Sequence, residues 1–223
     1  NAYKYNVSQF IYASSGSVYG VKEEEEVTED LDLEPISEYN KTKMISERVL
    51  LSYQDKMSIQ IVRPATVCGY APRQRFDVIV NILSNIGFHK REITIFGGNQ
   101  LRPNIHIKDM IRSYEVLLDA PKELVNTEIF NAGWENQSVN QIASTVKNIL
   151  GEDIKLIVST TDDNRSYHIS SEKIKNVLNF STKFTIEDAV KDLKKAFIDK
   201  LLDDPLKNSN YFNIKKMQIL NLK

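Results

Sequence analysis

The sequence predicts an α/β fold built on a parallel sheet, with a more mixed C-terminal part. Three observations predict it. Phe10 to Ala13 is a short continuous apolar run that stops at the Ser/Gly cluster Ser14 to Ser17, the pattern of a strand buried on both faces. Ile59 to Val62 reads the same way, and the segment between the two holds a polar loop and a helical stretch, so strand, loop, helix and strand make one crossover unit. Later in the chain, two segments open with capping-box-like pairs and continue with apolar residues at helical spacing.

Taken in order, the first strand is followed by the acidic run Glu23 to Glu26, read as a solvated loop face that could border a pocket, and then by Pro35. Ser37 is a plausible N-cap for a helix from about Glu38 to Gln54. Further strands are predicted at Ile93 to Phe96, Ile129 to Asn131 and Lys155 to Val158, with helices near Val78 to Ile86 and Lys108 to Leu118. The first capped helix has Ser138 and Gln141, then Ile142, Val146 and Leu150 on one stripe; the second has Thr185 and Asp188, then Ala189, Leu193 and Phe197. Both are expected to pack on a sheet or on each other. After Pro205 the asparagines at 208, 210 and 213 read as a loosely ordered tail.

Composition narrows the partners. Twenty-nine lysines and arginines nearly cancel thirty aspartates and glutamates, so no global field favours nucleic acid or an anionic membrane, and an anionic substrate must be met by local basic groups. The single cysteine, Cys68, excludes an internal disulfide and fits a reducing compartment. No run of about 18 apolar residues is present and the first residues lack the order of a signal peptide, so the reading is a cytoplasmic protein. The chain starts at Asn1 and enters an apolar run by Phe10, as a fragment opening inside a domain does.

The chemistry is carried by Tyr39 and Lys43, four apart on one helix face. An ammonium near a phenol favours the phenolate, whose unperturbed pKa is about 10, and makes the tyrosine a usable base. Tyr211 and Lys215 repeat the spacing, but in the tail and without a strand and turn beside them. Tyr39 instead follows a strand that ends in Ser14-Ser15-Gly16-Ser17-Val18-Tyr19-Gly20.

With Tyr12 to Gly20, Tyr39-Asn40-Lys41-Thr42-Lys43, Arg63-Pro64-Ala65-Thr66-Val67-Cys68-Gly69 and Arg102-Pro103-Asn104-Ile105-His106-Ile107-Lys108-Asp109 in that order, the chain resembles the extended short-chain dehydrogenase/reductase family over about residues 5 to 200, in particular its nucleotide-sugar epimerase branch. The resemblance implies the C-terminal part of a Rossmann-type doubly wound parallel sheet with a smaller mixed α/β substrate-binding region. It implies residues 1–76 as the remaining part of the dinucleotide-binding domain, 77–200 as mainly substrate-binding and partly returning to the sheet, and 201–223 as a tail. It also implies Ser15 as the hydroxyl that bonds the reacting sugar oxygen, Tyr39 as acid/base, and Lys43 as the ribose-binding residue that tunes Tyr39. Ala13 and Ser14 would lie beside the nicotinamide, and Pro64, Ala65, Thr66 and Val67 would meet it from the end of a strand. Asn81, Arg102 and Arg165 match diphosphate-binding positions, a role that suits arginine's bidentate geometry.

The implied partner is a nucleotide-diphosphate sugar and the implied assembly a homodimer through the helix bearing Tyr39 and Lys43 and its neighbouring helix. The cofactor is NAD, with NADP left open. The glycine-rich turn and the ribose-reading residue of a dinucleotide fold are not in the sequence; its eight glycines do not form that fingerprint, which leads us to expect roughly 100 further residues on the N-terminal side.

The similarity also separates reactions. Related dehydratases hold an Asp-Glu pair where this chain has Gly16 and Ser17, so epimerisation is favoured, with reduction, decarboxylation, dehydration or a non-catalytic sugar-nucleotide-binding role as alternatives. Cys68 reads as buried filling and His106 as structural, and neither His89 nor His168 lies in a metal-ligand pattern. Arg73 and Arg75 near the Tyr70 to Pro72 turn are left without a role.

Overall fold

Seven consecutive residues of the second strand show why a parallel sheet forms. The computed structural model describes residues 1–161 and 166–221. In it, strand β1 (Gln9–Ala13) leads through a short 3₁₀ turn (Gly16–Tyr19) and a loop to helix α1 (Glu38–Leu51), and the chain returns as β2 (Ser58–Pro64), parallel to β1 with Phe10 opposite Ile59 and Ala13 opposite Val62. β2 is buried along almost its whole length. Ile59 and Ile61 pack with Leu50 and Leu51 at the end of α1, while Val62 joins Phe130, Leu117 and Met110. A fully buried isoleucine contributes roughly 1.5–3 kcal/mol, and Ile59, Ile61 and Val62 together commit the strand to the middle of a sheet despite its buried Gln60 and Arg63.

β1, in contrast, is half-buried and, among the described residues, pairs only with β2. The sequence reading had it buried on both faces. Among the described residues its outer edge has no partner strand, and that leaves its side chains partly open to solvent.

Beyond β2 the chain changes sheets at Ala65 and continues as β3 (Thr66–Cys68), α2 (Ile79–Lys90), β4 (Glu92–Phe96), β5 (Leu101–His106) and α3 (Ile107–Asp119). Then come α4 (Lys122–Val125), β6 (Ile129–Ala132), β7 (Glu135–Ser138), α5 (Val139–Leu150), β8 (Lys155–Ser159), α6 (Glu172–Leu178), α7 (Ile186–Ile198) and α8 (Asn213–Ile219). β6 adds parallel to β2, which gives a first sheet in the order β1-β2-β6. A second sheet, β3-β5-β7, is parallel on one side of β5 and antiparallel on the other; β4 and β8 form a parallel pair. The fold is therefore α/β with parallel sheets, as predicted.

Both capping boxes are present, Ser138 with Gln141 and Thr185 with Asp188. Their helices, α5 and α7, pack on α2 and β4 through Val80, Ile93, Ile142, Val146 and Val190. α1 stops at Leu51, short of the predicted Gln54, where Ser52 Oγ donates to the Val49 carbonyl and the chain turns. The tail differs from its reading. Tyr211 packs edge-on to Phe76 at 5.5 Å between centroids, and the Phe76 N–H donates to the Tyr211 carbonyl. Two aromatic anchors, Tyr211 and Phe212, outweigh the polar asparagines on either side of them. The Tyr211/Lys215 pair is thus part of a packed tail, with the Lys215 ammonium over the Phe212 ring.

Candidate active site

The C-terminal ends of β1 and β2 lie side by side, and the residues after them open at the end of the sheet where ligands of open α/β folds bind. Ser37 caps α1 by accepting from the Asn40 N–H, and this fixes the first turn of the helix against that edge. One turn on, Lys43 Nζ donates to the Ala13 carbonyl at 2.7 Å, 4.9 Å from the centroid of the Tyr12 ring and 5.7 Å from that of Tyr39. Tyr39 is 57% exposed, so its ring is open to a ligand while its base is fixed by the helix.

Ser15 is held from the other side. Its Oγ is 2.7 Å from Ser17 Oγ and accepts from the Ser17 N–H; Ser17 Oγ donates to Asn40 Oδ1 at 2.7 Å. Because the single Ser17 proton goes to Asn40, Ser15 is the donor in the Ser15–Ser17 contact. The turn carrying Ser15 is thereby docked beside the residue that follows Tyr39. Gly16 is tightly packed, for a Cβ there would come within 3.2 Å of the Pro64 carbonyl and 3.3 Å of Ile169.

The remaining predicted residues divide into two groups. Ala13, the buried Ser14 and the Pro64 to Val67 segment share the strand ends; the Ser14 N–H donates to the Val62 carbonyl and the Ala65 N–H to the Ala132 carbonyl. Asn81 is buried on α2, accepting from the Gly69 N–H at 3.0 Å and donating to the Arg75 carbonyl at 2.9 Å. Arg102, on β5, lies over the Tyr167 ring at 5.6 Å and donates to the Leu101 carbonyl. Arg165 lies outside the described residues. No group of three or more His, Cys, Asp or Glu side chains among the described residues is arranged to hold a metal ion.

Cys68 is buried, its Sγ donating to the Ile105 carbonyl, and burial pushes its thiol pKa up, away from use as an acid or nucleophile at neutral pH. His106 caps α3 through Nδ1 and stacks on Phe184. The roles of Ser17, Asn40 and the buried Arg63 and Glu47 were not assigned from the sequence. Glu47 was the accessible signal, because it continues the Tyr39–Lys43 stripe by one more turn; a charged Arg63 at the end of an apolar strand needs a partner.

Residues 1–133 match the family model described as NAD dependent epimerase/dehydratase family. An uncharacterized UDP-glucose epimerase of Bacillus subtilis (strain 168) is 32% identical over 149 residues, covering 66% of this chain and 46% of that protein. UDP-glucose 4-epimerase of Lactobacillus helveticus is 26% identical over 208 residues, 83% of this chain and 62% of its own length. The chain thus spans roughly half to three-fifths of these relatives. Among solved structures, the Thermotoga maritima UDP-glucose 4-epimerase with UDP-glucose superposes with a TM-score of 0.80 at 26% identity, covering 90% of this chain and 67% of that one. The Bacillus cereus UDP-glucuronic acid 4-epimerase in complex with UDP-glucuronic acid and NAD gives 0.76 at 29% identity, covering 87% and 62%.

Proposed function

Since the chain belongs to the NAD dependent epimerase/dehydratase family, we propose that it carries the catalytic motif of an NAD-dependent nucleotide-sugar epimerase, an enzyme that oxidises a sugar hydroxyl transiently and reduces the resulting ketone from its other face. The observation that carries the reading is the pairing of Tyr39 and Lys43 on α1 with a Ser15 turn hydrogen-bonded to the same helix at Asn40. The UDP-sugar 4-epimerases among the similar proteins support uridine as the nucleotide.

The residues at the strand ends fit a nicotinamide cofactor. A lysine ammonium beside two aromatic rings can meet ribose hydroxyls, and backbone at the ends of β1 and β2 can approach a flat ring closely. Lys43 would hold the ribose, with Ala13, Ser14 and Pro64 to Val67 along the nicotinamide. When bound, NAD supplies the hydride acceptor that later returns the hydride. Tyr39 accepts the hydroxyl proton as the sugar is oxidised and gives it back on reduction. Ser15 would turn its hydroxyl from Ser17 to the reacting oxygen, and Lys43 places a positive charge beside the Tyr39 ring. Arg102 and Arg165 would bind the diphosphate, and Asn81 would support it from the 69–75 loop.

Gly16 and Ser17, the latter bonded to Asn40, supply no carboxylate pair for elimination of water, which favours epimerisation over dehydration. A homodimer of the full-length protein is supported by α1, which turns Ile45 and Val49 outward. We place the protein in the cytoplasm; no helix among the described residues is long and apolar enough to cross a membrane.

Incubating the full-length protein with a panel of UDP-sugars tests the reading. One sugar should be isomerised with no net change in reduced cofactor, and Tyr39→Phe should slow this by about 10²–10⁴-fold. Accumulation of reduced cofactor with turnover, or full activity in Tyr39→Phe, would count against it.

A further inference from the structure

Behind the proposed site lies a chain of buried polar groups that the proposed chemistry does not use. Arg63, at the end of β2, grips Glu47 of α1 with two bonds, Nε to Oε1 at 3.1 Å and Nη2 to Oε2 at 2.7 Å; both side chains are 3% exposed. Its Nη1 donates to Tyr19 Oη at 2.8 Å and to the Glu29 carbonyl at 3.3 Å. Tyr19 Oη donates in turn to Asn131 Oδ1 at 2.8 Å, and Asn131 Nδ2 donates to the carbonyls of Val27 and Ser170. Every proton in this chain has one possible direction, because the guanidinium can only donate, the carboxylate can only accept, and Asn131 uses its nitrogen on two carbonyls. Burial pushes the Tyr19 pKa up to about 12, so the phenol stays a donor.

The chain ends where the site begins. Tyr19 closes the 3₁₀ turn that Ser15 opens, and that turn is braced internally by the Val18 N–H on the Ser15 carbonyl and the Gly20 N–H on the Ser17 carbonyl. Tyr39, Lys43 and Glu47 fall on one stripe of α1 at spacings of four. The Ser15 turn is therefore fastened to α1 at two points: at its front through Ser17 to Asn40, and at its back through Tyr19 and Arg63 to Glu47. Asn40 and Glu47 are seven residues apart, about 10.5 Å along a helix. One tether would leave the turn free to pivot against the helix, whereas two tethers that far apart set its orientation. Apolar side chains of similar volume could fill the same space at no loss of stability. They could not set a distance and a direction.

We propose that Tyr19 and Arg63, with Glu47, are positioning residues that set the separation of the Ser15 hydroxyl from the Tyr39 phenol; this rests on the catalytic reading of those two groups. Tyr19→Phe removes one oxygen and keeps the ring. In the full-length protein it should lower kcat by roughly ten- to 10²-fold, as a misplacement of the order of 1 Å does, while KM for the nucleotide sugar stays within about twofold. Arg63→Lys keeps the charge opposite Glu47 but cannot bridge Glu47 and Tyr19 together, so it should show the same split, and it decides the matter if Tyr19→Phe does not fold. A purely structural role would lower the unfolding temperature and leave kcat per folded molecule unchanged. That result, with Tyr39→Phe inactive, overturns the positioning role alone. If Tyr39→Phe retains full turnover, the catalytic reading itself falls and the positioning role falls with it.

Discussion

His106 has its two ring nitrogens in unequal settings. Nδ1 accepts from the Lys108 N–H, while Nε2 lies 3.4 Å from Asp192 Oδ2 without hydrogen-bond geometry. Burial holds its pKa below the usual value, against the opposing pull of Asp192. The unfolded chain takes up this proton near pH 6.5 and the folded chain resists it, so the unfolded state binds more protons and stability falls as pH drops below about 6.5. His89, also pushed down by burial, acts in the same direction. Urea unfolding between pH 7 and 5 should show this slope, and His106→Asn, which keeps an N-cap acceptor, should reduce it; an unchanged slope would assign it to His89 alone. Glu47→Ala should cost about 3–5 kcal/mol, because it leaves the Arg63 charge buried and unpaired. Denaturant unfolding of that variant checks it. At this scale Ser15, Tyr39 and Lys43 were legible because strand, turn and helix spacing are local features. Arg63 was visible only as a member of a motif, since its partners Glu47 and Tyr19 stand 16 and 44 positions away.

Elements were legible in proportion to how local their signals are. The boxes at Ser138 and Thr185 are written within four residues and were found where expected. Thr185→Ala should destabilise α7 by about 1 kcal/mol, read as a lower unfolding midpoint. The Thr185 N–H holds the Asp188 carboxyl below its ordinary pKa, so this contribution is complete above the unfolded value of about 3.8 and is lost as pH falls through the lower folded value. Thr185→Ala keeps that N–H and removes only the smaller contribution of the Thr185 hydroxyl, so the acid limb of its stability curve should be only slightly shallower. β5 and β7 were missed, because Arg102-Pro103-Asn104 and Glu135-Asn136-Gln137 carry little strand propensity. Pairing with two neighbours overrides that: β3 joins β5 only from Asn104 onward, so Pro103, which has no N–H to give, faces β7 alone. α1 inverts the usual pattern. It buries Asn40 and Glu47 and exposes Ile45 and Val49, which hides its orientation from any reading of apolar periodicity.

For the molecule as a whole, that inverted helix leaves an apolar stripe outside, the face we assign to a second copy of the protein. Val49→Glu in the full-length protein should shift it from dimer to monomer in sedimentation, since one buried unpaired carboxylate outweighs the burial of one valine. A dimer that persists unchanged would move the interface elsewhere. The buried chain through Arg63 has a consequence for the order in which the site comes into being. Ser15, Tyr39, Lys43, Glu47 and Arg63 are all synthesised ahead of Asn131 and the Ser170 carbonyl, which belong to much later sequence. At ~5–20 residues per second, the interval from Arg63 to Ser170 is on the order of 5–20 seconds. Through that interval the nascent chain holds the complete motif without the last members of its support, and competence arrives only with the C-terminal part, which contributes no proposed acid or base of its own.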